Sequence, residues 1–185
     1  MASLVHLFAW TCHQLPERSP QFDGQVFPLC FRLAGLYLGV FASFVSIGAL
    51  GSRDKRVSVQ TGSAVSALLL PLLIDGWGNT LHLWSTGGPL RALTGVSAGI
   101  ALPLLLLTLS TDRPHARIRW IGAGDAVVPS LLGLALLGCL LHPGSGAVFV
   151  ALALAAGVGL VLLVANVIWA ITPLPRSRAA RRSAP

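Results

Sequence analysis

The chain has few charged residues, and this scarcity excludes an ordinary soluble domain. Only 10% of its 185 residues are Asp, Glu, Lys or Arg, whereas 54% are hydrophobic, and the mean hydropathy is +0.76. About a quarter of the residues in a typical soluble domain are charged. Cysteine is also scarce, with three residues, so the chain is not a disulfide scaffold. No phosphate-binding loop, nucleophile elbow or zinc-protease motif occurs in the sequence.

Charge is missing altogether from four windows, at 33–52, 57–74, 92–111 and 126–175. A bilayer core of about 30 Å needs roughly 20 helical residues to cross it. The last window is long enough to double back at its Pro/Gly turn, so we expect an all-α integral membrane protein, a bundle of five transmembrane helices. The predicted spans are about 29–50, 57–74, 90–110, from between 118 and 125 to 141, and 147–171.

Most of the 13 basic residues occur in three clusters, and these decide the predicted orientation. The clusters follow the first, third and fifth predicted spans. Short loops rich in Lys and Arg stay on the cytoplasmic side of a membrane. We therefore expect the N-terminus outside and the C-terminus in the cytoplasm. The clusters are Arg53, Lys55 and Arg56; Arg113, Arg117 and Arg119; and Arg176, Arg178, Arg181 and Arg182.

The distribution of tryptophan agrees with this orientation, because indole prefers the boundary between membrane and water. The predicted domains are an outer N-terminal segment at 1–28, a membrane domain at 29–172 and a basic cytoplasmic tail at 173–185. Trp10, Trp77 and Trp84 fall at the predicted outer boundary, and Trp120 and Trp169 at the inner one.

The net charge of +7 is explained by the loops beside the membrane. The expected partners are the lipid bilayer itself and anionic lipids at the cytoplasmic face, which attract basic segments. Nucleic acid is not an expected partner, because orientation alone accounts for the basic residues.

Ionisable residues are expected to collect at the outer end of the bundle. Asp75 and three arginines, Arg18, Arg32 and Arg91, are predicted at this level. Arg32 can reach the interface, pair with Asp75 or with Glu17, or join the other two arginines in holding a phosphate or carboxylate ligand. Asp75 can be the partner of an arginine, a metal ligand or a general base.

Four segments carry a resemblance to a known family: Cys-His-Gln-Leu-Pro-Glu-Arg-Ser at 12–19, Pro-Leu-Cys-Phe-Arg-Leu-Ala-Gly-Leu-Tyr-Leu-Gly at 28–39, Pro-Leu-Leu-Ile-Asp-Gly at 71–76 and Arg-Ala-Leu-Thr-Gly at 91–95. The chain resembles small prokaryotic membrane proteins of unknown function with the signature Cys-His-Gln-x-Pro-x-Arg-Ser, then Cys-x-Arg-Cys-x-Gly-Ile-Tyr. The resemblance implies a multi-pass protein of the prokaryotic cell membrane and implies no activity. Leu33 stands where that family has its second paired cysteine.

The remaining cysteines leave three arrangements open. Cys12, His13 and Cys30 can bind zinc, for which cysteine and histidine are usual ligands. Because Leu33 replaces a thiol, the fourth ligand would be water, Asp75 or His82. Alternatively, Cys12 and Cys30 form a disulfide, which the outer side of a prokaryotic membrane permits, or they are two separate structural thiols.

Small residues and prolines interrupt the predicted spans. Gly35 and Gly39, and likewise Gly95 and Gly99, are four residues apart, a spacing that lets helix backbones approach closely. They predict packing within the bundle, with a seam in a homo- or hetero-oligomer as the alternative. Pro71 and Pro103, inside the second and third spans, each remove a backbone hydrogen bond. Such breaks are tolerated where neighbours or a water-filled cavity satisfy the freed carbonyl, and Pro71 suggests a cavity in the outer half.

Two functions remain open at this stage. In the first, the outer residues form a site for an anionic or lipid-linked ligand, with His13 and Asp75 as candidate catalytic groups and zinc as a candidate cofactor. In the second, the chain is a non-catalytic membrane subunit, and the same residues form a structural clasp between the N-terminal segment and the first three spans.

Overall fold

The computed structural model describes residues 8–12, 15–50, 59–110 and 123–171. The three basic clusters, His13 and Trp120 lie outside these residues, as does the side chain of Trp169. A short 3-10 helix, Pro16–Arg18, precedes an antiparallel hairpin and six helices. These are β1 Gln21–Phe22, β2 Gln25–Val26, α1 Phe31–Ala49, α2 Val59–Ala67, α3 Leu70–Thr80, α4 Gly88–Ser110, α5 Ala123–Leu141 and α6 Gly146–Ile171.

Several helices have the length and composition of membrane spans. Among the described residues, four segments are long and apolar enough to cross a bilayer, and a shorter apolar helix occupies 125–141. The four are Phe31–Ala49, Thr61–Thr80, Gly88–Leu106 and Gly146–Ile168. The prediction of an all-α membrane protein is therefore confirmed at the level of fold class, whereas the count of five spans and their orientation remain predictions.

The second predicted span is a broken helix. Two tight turns, in which Leu68 and Leu69 donate to the carbonyl groups three residues earlier, separate α2 from α3. Pro71 lies in the first turn of α3. It has no N–H to donate, and its ring conflicts with a continuous helix. The helix is interrupted beside Pro71, whereas Pro103 lies inside the continuous helix α4.

The outer loop predicted from Asp75 onward begins later than expected. Helix α3 continues through Asp75 and the two glycines that follow it, and ends at Thr80. Two features explain the extra turn. The Asn79 amide donates to the Asp75 backbone carbonyl at 2.7 Å, and a Cβ on Gly78 would lie only 2.0 Å from the ring of Trp84. The glycine thus makes room for an indole that covers the last turn of the helix.

Helix α1 lies at the centre of the bundle and packs against α4, α5 and α6. The two pairs of glycines face each other across α1 and α4. A Cβ on Gly35 would lie 2.2 Å from the carbonyl oxygen of Ala92, and one on Gly99 would lie 2.1 Å from that of Leu36. The predicted packing within the bundle is confirmed for both pairs, because the backbones approach each other too closely for any larger residue.

The N-terminal segment packs on α1 and α6 rather than lying only at the surface. Phe8 is fully buried, and its ring touches the position of Gly157 in the middle of α6. It belongs to one apolar cluster with Leu38, Ala153 and Cys12. An aromatic side chain of this size is more stable against the helices than exposed to water. The predicted outer N-terminal segment is thus attached to the helices through Phe8.

The hairpin packs against the first turn of α6, at the end of the bundle where α1 begins. Asp23 and Gly24 form its turn, both with positive φ, as a two-residue hairpin requires. The ring of Phe27 meets Phe149 of α6 edge-on, with 5.0 Å between the ring centroids. The hairpin thereby holds the chain between Cys12 and Cys30 against the helices.

Candidate functional site

An ion pair joins the first and third helices at the ends that are predicted to face outward. Arg32 lies in the first turn of α1, and its Nη2 donates to Oδ2 of Asp75 in α3. Asp75 is 5% exposed and the Arg32 side chain 29% exposed, so water reaches mainly the arginine. A carboxylate buried in a membrane protein is stabilised by a nearby opposite charge. The prediction that Asp75 pairs with Arg32 or Arg91 is confirmed for Arg32.

Two neutral side chains complete the surroundings of Asp75. The hydroxyl of Thr86 donates to Oδ1 at 2.6 Å, and the amide of Asn79 donates to the same oxygen at 2.9 Å. The Asn79 amide also donates to the Thr86 hydroxyl at 3.0 Å. Both carboxylate oxygens therefore have donors from within the chain.

Arg91 joins this group from the first turn of α4. Its Nη2 donates to Oδ1 of Asn79 at 2.8 Å, and its Nε donates to the Thr86 hydroxyl at 3.2 Å. Arg91 is thus linked to Asp75 through two neutral side chains and not by a direct hydrogen bond. We call Arg32, Asp75, Asn79, Thr86 and Arg91 the outer polar network. It connects α1, α3, the 81–87 loop and α4.

Arg18 lies apart from the outer polar network. It ends the short 3-10 helix and is exposed, and no hydrogen bond joins its side chain to the network within the described residues. The structure therefore brings together two of the three arginines predicted to lie at one level. The network contains two arginines and one carboxylate, so one positive charge is left in excess.

Sequence reasoning missed Asn79 and Thr86 as members of the site. Asn79 is four residues after Asp75, a spacing that places both side chains on one face of a helix. The predicted second span, however, ends at residue 74, before both of them. Thr86 lies in an irregular segment, and nothing in its sequence neighbourhood indicates that its hydroxyl turns towards Asp75. Asn79 could have been found from its spacing to Asp75, whereas Thr86 required the structure.

Cys12 and Cys30 meet beside the start of α1. The backbone N–H of Cys30 donates to the sulfur of Cys12 at 3.3 Å, and no disulfide joins these two described residues. A hydrogen bond with the Cys12 side chain, followed by burial, raises the pKa of the Cys30 thiol, which directly precedes the helix. Cys12 and Cys30 are therefore in contact, and a shared metal, a disulfide or two structural thiols all remain predictions. Leu33 packs against the apolar cluster that contains Cys12.

The predicted zinc site cannot be assembled from the described residues alone. His13 lies outside them, and no three His, Cys, Asp or Glu side chains within the described ranges form a group that could hold a metal. Asp75 was a candidate fourth ligand, but its carboxylate is hydrogen-bonded within the outer polar network. Zinc binding by Cys12, His13 and Cys30 stays a prediction.

Comparison with known proteins places these observations in a family. A family model described as a predicted membrane protein, DUF2085, matches residues 12–105, which contain both cysteines of the contact and the whole outer polar network. An uncharacterized protein of Methanothermobacter thermautotrophicus is 36% identical over 102 residues, which are 55% of this chain and 89% of the relative. Another, from Methanocaldococcus jannaschii, is 26% identical over 116 residues, 63% of this chain and 74% of the relative. No solved structure matches the chain. The chain belongs to the DUF2085 family of predicted membrane proteins.

Proposed function

We propose that the chain is a five-span protein of the prokaryotic plasma membrane, with its N-terminus outside and a basic cytoplasmic tail that contacts anionic lipids. The four long apolar segments and the shorter helix at 125–141 support the number of spans. The positions of the basic clusters support the orientation. The archaeal relatives support a prokaryotic membrane.

Within this membrane domain, the outer polar network acts as a structural clasp and not as a catalytic site. The observation that carries this proposal is that the Asp75 carboxylate already accepts three hydrogen bonds. The donors are Arg32, Asn79 and Thr86. A general base or metal ligand needs an oxygen that is available to substrate or metal. Asp75 instead holds three parts of the chain together, and the protein is a non-catalytic membrane subunit.

The experiment that tests the clasp removes the carboxylate and measures both stability and ligands. Asp75→Ala leaves the Arg32 charge unpaired and is expected to lower the free energy of unfolding in detergent by about 3–5 kcal/mol. Asp75→Asn is expected to cost less, because its amide oxygen can still accept from Thr86. Asp23→Asn is the matched control, since it removes an exposed carboxylate at a turn position that tolerates asparagine.

A second measurement on the same variants separates the clasp from a ligand site. The purified proteins are analysed for bound metal and for co-purified phospholipid. If Asp75→Ala unfolds like the unmodified protein but has lost a stoichiometric metal or lipid, the clasp is wrong and Asp75 is a ligand. Loss of stability with no change in metal or lipid content supports the clasp.

The excess positive charge favours an anionic lipid headgroup as a second candidate function. The Arg32 Nε atom is buried and has no hydrogen-bond partner among the described residues, and the Arg32 side chain is partly exposed. A planar guanidinium group suits the geometry of a phosphate. Retention of phosphatidylglycerol over phosphatidylcholine should then fall in Arg91→Gln, whereas Arg18→Gln, outside the network, serves as control. Equal retention in both variants would exclude this role.

A further inference from the structure

We propose that Cys12 and Cys30 form a dithiol site that an external disulfide oxidises to an intramolecular disulfide. The inference goes beyond the clasp, because it concerns the contact between the N-terminal segment and α1 and uses no residue of the outer polar network. Its starting observation is the hydrogen bond of 3.3 Å between the Cys30 backbone N–H and the Cys12 sulfur.

Both cysteines are held in place by their own backbones. The N–H of Cys12 donates to the carbonyl of Phe8 at 3.0 Å, and the carbonyl of Cys30 accepts from the N–H of Ala34 at 2.8 Å, as the first bond of α1. Phe8 is itself fully buried. Packed structure thus holds the Cys12 sulfur against the Cys30 backbone, and the two cysteine side chains are in hydrogen-bonding contact. Disulfide formation requires this kind of proximity.

The two thiols differ in their access to a reagent. Cys30 is partly exposed, whereas Cys12 is 8% exposed. An external disulfide therefore meets the Cys30 sulfur first. The raised pKa of Cys30 keeps its thiolate fraction low at neutral pH, so the reaction is slow there and faster in alkaline solution. Once deprotonated, Cys30 attacks one sulfur of the reagent and releases the other as a thiolate, which leaves a mixed disulfide. Cys12 then attacks the Cys30 sulfur and releases the second reagent thiolate. Two protein thiols are oxidised, the reagent is reduced by two electrons, and two protons leave.

Other residues make this outcome specific. Leu33 lies one helical turn after Cys30 and packs with the cluster around Cys12. Since leucine has no thiol, nothing at this position competes with Cys12 for the Cys30 sulfur. Cys139 belongs to α5 and is exposed. The third cysteine of the chain is therefore an internal control for non-specific oxidation.

The bond would fix the position of the N-terminal segment. Cys12 and Cys30 are 18 residues apart in sequence, and the chain between them contains the short helix and the hairpin. Closing a loop of this length restricts the unfolded chain. The oxidised protein is therefore expected to unfold at a temperature about 5 °C or more above that of the reduced protein.

The test uses the full chain in detergent, reduced, freed of reductant and then treated with oxidised glutathione. After acid quenching and alkylation, peptide mass analysis is expected to find Cys12 linked to Cys30 in the unmodified protein and in Cys139→Ser. Cys12→Ser is expected to carry glutathione on Cys30, and Cys30→Ser is expected to leave Cys12 unmodified. A Cys12–Cys30 disulfide already present in protein purified without reductant also supports the proposal.

Three results would overturn the proposal. One is full alkylation of Cys12 and Cys30 under conditions that oxidise the denatured chain. Another is stable glutathionylation of Cys30 in the unmodified protein with no bond to Cys12. The third is pairing that involves Cys139 as often as it involves Cys12. A failure of any variant to fold does not affect the result from the unmodified chain.

Discussion

Gly99 of α4 lies directly on the backbone of Leu36 in α1, so close that a Cβ on the glycine would be 2.1 Å from the Leu36 carbonyl oxygen. Backbone atoms cannot move aside as the end of a flexible side chain can. The two central helices are consequently held at a distance that only glycine permits, and the outer polar network lies at one end of this contact.

Gly99→Ala is therefore expected to push α1 and α4 apart and to lower the free energy of unfolding by about 2 kcal/mol. Gly48→Ala is the matched control, since it lies in α1 with no atom within 4 Å of its added Cβ. That substitution is expected to be neutral or to stabilise the helix by up to about 1 kcal/mol. Thermal unfolding of both variants in the same detergent checks the pair; equal stability would contradict the close contact.

Thr86→Val tests the hydroxyl at the centre of the outer polar network. Valine keeps the shape of threonine, but Asp75 loses a donor and Arg91 loses an acceptor. Leaving buried polar groups without partners typically costs about 1–3 kcal/mol, so the unfolding temperature is expected to fall. Thr80→Val is the control, because its hydroxyl bonds only to the carbonyl of Gly76 and is exposed. An equal effect of the two substitutions would mean that Thr86 plays no special role.

The structure follows from the sequence most closely where a single local rule decides the outcome. Helices match the uncharged windows because apolar segments of this length have one stable form in a bilayer. The contact of α1 with α4 follows from glycines at Gly35, Gly39, Gly95 and Gly99, because only small residues let two backbones meet.

The other features of the fold depend on contacts between distant parts of the chain. Glycine-rich segments normally indicate a loop, but the ring of Trp84 on Gly78 and the bonds of Asn79 continue α3 past Asp75. Phe8 is buried through its packing with residues of α1 and α6, which its own sequence neighbourhood does not indicate. Pairing of Asp75 with an arginine could be predicted from charge alone, but the choice of Arg32 depends on how α1 and α3 pack.

The last turn of α3 gives a further prediction. Gly78→Ala would place a methyl group in the ring of Trp84, at 2.0 Å, whereas the Cβ of Gly76→Ala meets no atom within 4 Å. The first substitution is expected to destabilise by about 1–3 kcal/mol through overpacking, and the second is expected to be tolerated. Gly78→Ala combined with Trp84→Leu should recover part of the loss, because the smaller side chain frees the space. Additive losses in the double variant would show that the indole does not cover Gly78.

The orientation in the membrane can be tested independently of every contact described above. The three basic clusters predict that the chain after the last helix remains in the cytoplasm, because translocating short basic segments is disfavoured. A fluorescent reporter that folds only in the cytoplasm, fused after Pro185, is expected to be active, and a phosphatase that folds only outside is expected to be inactive there. The same two reporters fused after Thr86, between α3 and α4, should give the opposite result. Outside activity at Pro185 would remove the basis for an N-terminus outside, and it would place the outer polar network and the two cysteines on the cytoplasmic side.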